Sequence, residues 1–107
     1  MDHQSILIVE DNGSLRRFIA KTLKKAGFDI TEAGSGAAAF AALKQEYFDV
    51  VLLDLGLGDV DGIEVLKTIR RQDELLPVIV VSSCVDTSVK VDGYEIGCDD
   101  YITKPFY

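Results

Sequence analysis

The segment 49–62, DVVLLDLGLGDVDG, restricts the fold of this chain more than any other stretch. Residues 50–53 are all apolar and run straight into Asp54, after which glycines stand at positions 56, 58 and 62. A short unbroken apolar run, half of it β-branched, fits a strand buried on both faces, as in a parallel sheet covered by helices. Open parallel sheets bind ligands at the carboxyl ends of their strands, so Asp54 stands where chemistry would be done. Gly56, Gly58 and Gly62 let main-chain atoms approach an ion or substrate closely. Taken alone, an acid after a strand is more often a helix cap or a turn residue, and other residues must lift Asp54 above that reading.

The same pattern opens the chain. Residues 6–9 form a continuous apolar run that ends in Glu10 and Asp11. Asn12 or Ser14 can cap the next element, an amphipathic helix with Leu15, Phe18, Ile19, Leu23 and Ala26 at helical spacing, closed by Gly27. Arg16, Arg17, Lys21, Lys24 and Lys25 lie between those apolar positions. Residues 28–33 alternate and read as a strand nearer a sheet edge. A turn at 34–36 leads to an alanine-rich helix to about Gln45. Asp61 caps a third helix whose apolar positions are Ile63, Val65, Leu66 and Ile69. Pro77 opens a fourth buried strand, which ends in Ser82 and Ser83. A weakly specified helix over about 87–97, with Gly93 inside it, is a candidate moving part. Residues 99–103 make a short fifth strand before Lys104 and Pro105.

Five alternations of strand and helix with short connections predict a flavodoxin-like, doubly wound α/β domain. Its five-stranded parallel sheet has the order 2-1-3-4-5, with right-handed crossovers. A chain of 107 residues makes one such domain, and 48% hydrophobic with 27% charged residues is ordinary for a globular protein. The net charge of -7, with no basic patch, argues against direct nucleic-acid binding. Cys84 and Cys98 have neither the spacing of a redox pair nor neighbouring histidines for zinc, and read as buried thiols. No apolar run approaches the roughly 20 residues of a membrane span, and residues 1–5 do not make a signal peptide. The expectation is a cytoplasmic protein with no membrane partner.

The fold delivers Glu10 and Asp11 from the first strand, Asp54 from the third, Ser82 from the fourth and Lys104 from the fifth to one edge. Carboxylates a few ångströms apart repel by about 4 kcal/mol per pair at about 4 Å and an effective dielectric near 20, a cost that a divalent cation removes. Hard oxygen ligands with room for water and a phosphoryl oxygen suit Mg²⁺. A carboxylate beside that cation, an ammonium and a hydroxyl is placed to attack phosphorus and form an aspartyl phosphate.

The acid pair Glu10-Asp11, the DLGLGDVDG segment around Asp54, PVIVVSS with Ser82 and DDYITKPF with Lys104 together resemble the receiver domain of bacterial two-component response regulators. The resemblance covers nearly the whole chain. It implies that Asp54 accepts a phosphoryl group, that Asp11 and the Gly56 carbonyl coordinate Mg²⁺ directly, and that Glu10 acts mainly through bound water. It also implies that Ser82 and Lys104 contact phosphoryl oxygens, that Tyr101 is the switch aromatic, and that the Lys104-Pro105 bond is cis. The implied partners are a sensor histidine kinase or phosphotransfer protein and an output domain or partner protein, with the domain acting as a regulator rather than as an enzyme on external substrates.

Three departures stand out. Gly58 takes a position where the family often has proline, which loosens the loop after Asp54, and Ser83 replaces a usual alanine or glycine. The chain ends at Tyr107, before the family's final helix, which leads to the expectation of a fragment of a longer protein or of a homodimer or other self-associated form, by element swapping for example. Two other aspartate or fold relatives compete. A phosphatase of the haloacid dehalogenase type needs a second aspartate two residues after the nucleophile, where this chain has Gly56. A flavodoxin-like flavin carrier needs a phosphate cradle where Glu10 and Asp11 stand. A degenerate receiver signalling without phosphate is disfavoured because every required side chain is present.

Overall fold

The computed structural model describes residues 3–82 and 100–103. In chain order the elements are β1 (Ser5–Val9), α1 (Gly13–Lys25), β2 (Asp29–Ala33), α2 (Gly36–Gln45), β3 (Val50–Asp54), α3 (Gly62–Gln72), β4 (Val78–Ser82) and β5 (Asp100–Thr103). The strands form one sheet in the order β2-β1-β3-β4-β5, every pair parallel, as the alternation of elements predicts. Among the described residues no helix is long and apolar enough to cross a membrane. The weak helix expected at 87–97, both cysteines and the Lys104-Pro105 bond lie outside the described residues.

Local signals set the helix ends. The Asn12 side chain accepts from the Leu15 N–H at 3.1 Å, which settles the cap of α1 in favour of Asn12 over Ser14. At the other end Gly27 has φ +101°, its N–H bonds to the Lys24 carbonyl and the Phe28 N–H to that of Leu23, the pair of bonds that closes a helix through a left-handed residue. Asp61 caps α3 as expected, accepting from Ile63 N–H at 2.9 Å.

Alternation along each strand sends side chains to opposite faces. Leu7 and Val9 of β1 and Val51 and Leu53 of β3 pack with α2 and α3, around fully buried Val65 and Leu66. Each such side chain contributes roughly 1.5–3 kcal/mol by leaving water. Ile6 and Ile8 point the other way, toward Ala20 of α1, where Val50 and Leu52 remain half-buried. Two positions of the expected apolar stripe depart from it: Phe18 is 64% exposed, Ala26 is the exposed C-cap, and the buried position is Ala20. A small residue lets α1 approach β1 closely, while Phe18 sits at the margin of the apolar stripe.

Candidate functional site

The strand register brings the acids together. Val9 pairs with Leu53, so Glu10, the next residue, comes level with Asp54, and Asp54 itself pairs with Val81. Glu10 is 3% exposed and Asp54 6% exposed, both in a narrow crevice with Ile19, Leu52 and Val81, whereas Asp11 is open to solvent. Carboxylate oxygens of Glu10, Asp11 and Asp54 lie within 4.8 Å of one another. Two buried carboxylates and one exposed at this range repel strongly, and an all-oxygen donor set of this kind fits a hard divalent cation such as Mg²⁺.

Backbone donors fix the two buried acids. The Gly56 N–H donates to Asp54 Oδ1 at 3.1 Å, and the Asn12 N–H lies 3.4 Å from Glu10 Oε2. Arg16 reaches back from α1, donating through Nη1 to the Glu10 carbonyl at 2.9 Å and through Nε to Glu32 Oε1 at 3.2 Å. A Cβ at Gly34 would meet that guanidinium at 2.9 Å, so the glycine leaves it room.

The loop after Asp54 alternates buried and open residues. Leu55 and Leu57 are buried, while Gly56 and Gly58 are exposed on the side of the acids. A Cβ at Gly58 would lie 3.9 Å from Asp11 Oδ2. The loop is closed by Gly62, whose N–H bonds to the Leu55 carbonyl at 3.1 Å. A Cβ on Gly62 would stand 2.7 Å from the Asp54 carbonyl oxygen, so α3 starts hard against the end of β3. Asp59 extends away to α2, accepting from the Gly36 N–H at 2.9 Å and the Ala37 N–H at 3.1 Å. Those bonds, Gly36 first and Ala37 next, hold its carboxyl below the usual aspartate value.

Of the residues expected from the sequence, Glu10, Asp11, Asp54 and Gly56 are brought together. Ser82 is the last residue of β4, one step beyond the strand partner of Asp54, and pairs with Thr103 of β5. Tyr101 lies in β5 opposite Val80, and Lys104 is outside the described residues. Arg16 and Asp59 were not distinguishable from surface charge in the sequence, because each acts across the fold. Only its place in the glycine-bounded stretch between positions 58 and 62 marks Asp59 as a turn acid.

A model of the response regulator receiver domain matches residues 6–107. The sensory transduction protein RegX3 of Mycolicibacterium smegmatis is 43% identical over 102 residues, which cover 95% of this chain and 44% of that protein. The chain spans less than half the length of the curated relatives it matches. Among solved structures, a CheY-like receiver domain protein from Methanospirillum hungatei superposes with a TM-score of 0.95 at 25% identity, covering 99% of this chain and 85% of that one. The phosphorylated cyanobacterial phytochrome response regulator RcpA gives 0.87 at 32% identity, covering 97% and 82%. Sequence match, strand order and the position of the acids at the strand ends agree over almost the entire length, and the chain belongs to the receiver domain family of two-component response regulators.

Proposed function

We propose that Asp54 is the phosphoacceptor of this receiver domain and that its phosphorylation, dependent on Mg²⁺, switches the domain between two surfaces read by an output domain or partner protein. Receiver domains bind Mg²⁺ at an acidic pocket and work with histidine kinases and output domains. The observation that carries the reading is the buried Asp54 carboxylate within 4.8 Å of Glu10 and Asp11 at the carboxyl end of the central strand.

The Gly56 N–H holds one oxygen of Asp54, which orients the carboxylate at the end of β3. One Asp54 oxygen forms the new bond to phosphorus as the donor's bond to phosphorus breaks, and the leaving group, the imidazole nitrogen of a phosphohistidine, departs with the electron pair and takes a proton. Bound Mg²⁺ would be held by Asp11, Asp54 and the Gly56 carbonyl, with Glu10 through water, and supplies charge neutralisation for the phosphoryl oxygens. The receiver resemblance would give Ser82 and Lys104 the contacts to phosphoryl oxygens and Tyr101 the role of switch aromatic. The setting is cytoplasmic, where the kinase domain and the phosphodonor are found.

Incubation with acetyl phosphate and Mg²⁺, read by intact mass, tests the assignment. Wild type gains one phosphoryl mass, chelation of the metal suppresses the gain, and Asp54→Asn does not gain it. Labelling that survives Asp54→Asn places the acceptor elsewhere.

A further inference from the structure

The loop that carries Gly56 has an anchor outside the acid cluster. Asp59 spreads its carboxylate over the first turn of α2: Oδ1 accepts from Gly36 N–H at 2.9 Å and from Val60 N–H at 3.0 Å, and Oδ2 accepts from Ala37 N–H at 3.1 Å. α2 already has a local cap, since Ser35 Oγ accepts from Ala38 N–H at 3.0 Å. Asp59 therefore satisfies the first two amides of the helix, which Ser35 leaves open, and it does so from 23 residues away. The neighbouring Val60 packs against the same point: a Cβ at Gly36 would run into Val60 Cγ2, and one of the two would have to move. The segment from Asp54 to Asp59 is thus pinned at both ends, by β3 and by α2.

Between those pins stand Gly56 and Gly58, the residues that lie over the carboxylates of Asp54 and Asp11. Glycines at both positions give the loop backbone freedom that must be lost when it closes on an ion. Gly58 occupies a negative-φ conformation, Gly27 being the one glycine of positive φ among the described residues, so the loop geometry does not itself require glycine there. We propose that Asp59 is a positioning residue for the cation site: by clamping the loop to the N-terminus of α2 it holds the Gly56 carbonyl and Gly58 in the ion-competent arrangement, substituting for stiffness that the loop's own sequence lacks. The inference rests on the Mg²⁺ reading of the acid cluster.

The test is a Mg²⁺ titration of ¹⁵N-labelled protein followed through the amide shifts of Gly56 and Gly58, with thermal melts run alongside. Asp59→Ala weakens Mg²⁺ binding about threefold, the reduction expected when the competent conformation must be selected from a freer loop. Ser35→Ala removes the other cap of the same helix turn and lowers the melting temperature while leaving Mg²⁺ affinity at the wild-type value. Adding Gly58→Pro to Asp59→Ala restores most of the lost affinity, and the same change in wild type adds less. Equal loss of affinity in Ser35→Ala and Asp59→Ala would mean that Asp59 only stabilises α2, and overturns the proposal. So does a wild-type affinity that persists in Asp59→Ala. A wild type whose amide shifts do not respond to Mg²⁺ overturns the cation reading itself, and the proposal with it.

Discussion

The ends of β1 and β3 follow one sequence rule, an apolar run into acid, yet they are built differently. At β1 the chain passes from Glu10 into α1 with only Asp11 and Asn12 between, and the turn is fastened from inside by Arg16. At β3 seven residues, 55–61, separate Asp54 from α3, and the loop is fastened from outside by Asp59 and at its exit by Gly62. The β1 end is therefore a rigid wall that supplies fixed charge. The β3 end is a longer loop held in place by contacts from distant elements, which suits the phosphoacceptor role proposed for Asp54.

Gly62→Ala breaks the β3 end most severely. The added methyl meets backbone of Asp54 and Leu55, with the Asp54 carbonyl oxygen at 2.7 Å, and backbone cannot rotate aside as a side chain would. α3 must move, at a cost of about 2–3 kcal/mol after the gain in helix propensity, and the melting temperature falls by roughly 10 °C or more. A melt within a degree or two of wild type would show that α3 is free to slide along the sheet.

At the β1 end the corresponding break is Arg16→Ala. It removes two charge-assisted bonds, to the Glu10 carbonyl and to Glu32, whose side chain is 31% exposed, so solvent screening reduces the second. The expected loss is about 1–2 kcal/mol, measured by urea unfolding. Arg16→Lys recovers less than half of it, because an ammonium does not span both acceptors as the fork of a guanidinium does. Full recovery by lysine would reduce the role of Arg16 to charge alone.

The same contrast explains what could be read from the sequence. The acid edge was legible because it follows from register: buried parallel strands must be continuous apolar runs, and the residue after each run falls at the same edge. Asn12 and Asp61 were legible because a cap acts within three residues of itself. Asp59 was not, since its partners Gly36 and Ala37 are more than 20 residues away and nothing in the local pattern points to them. Arg16 was read as one of several cations on a helix face, and its reach back to Glu10 depends on the room left by Gly34. Phe18 fitted the helical spacing and Ala20 did not, but how closely α1 lies on β1 decided which was buried. Long-range polar contacts and close approach of elements are tertiary quantities, and periodicity carries no information about either.

The smallest effect separates the two anchors by pH. Asp59 is held below the ordinary aspartate value, first by the Gly36 N–H and then by that of Ala37. A carboxyl depressed in the folded state contributes stability that is complete above its unfolded value, about 3.9, and that is lost as pH falls through the lower folded value. The stability difference between wild type and Asp59→Asn is therefore constant from neutral pH down to about pH 5 and shrinks below about pH 3.9, because protonation then removes the charge that distinguishes the acid from the amide. The anchor at β1 has no such dependence at its carbonyl bond, since a guanidinium keeps its charge throughout this range and the Glu10 carbonyl does not titrate. Denaturant midpoints of Asp59→Asn and Arg16→Ala against wild type, taken from pH 7 to pH 3, measure this directly. A deficit for Asp59→Asn that persists unchanged to pH 3 would mean that hydrogen-bond geometry, and not the negative charge at the helix terminus, is what the loop gains from Asp59.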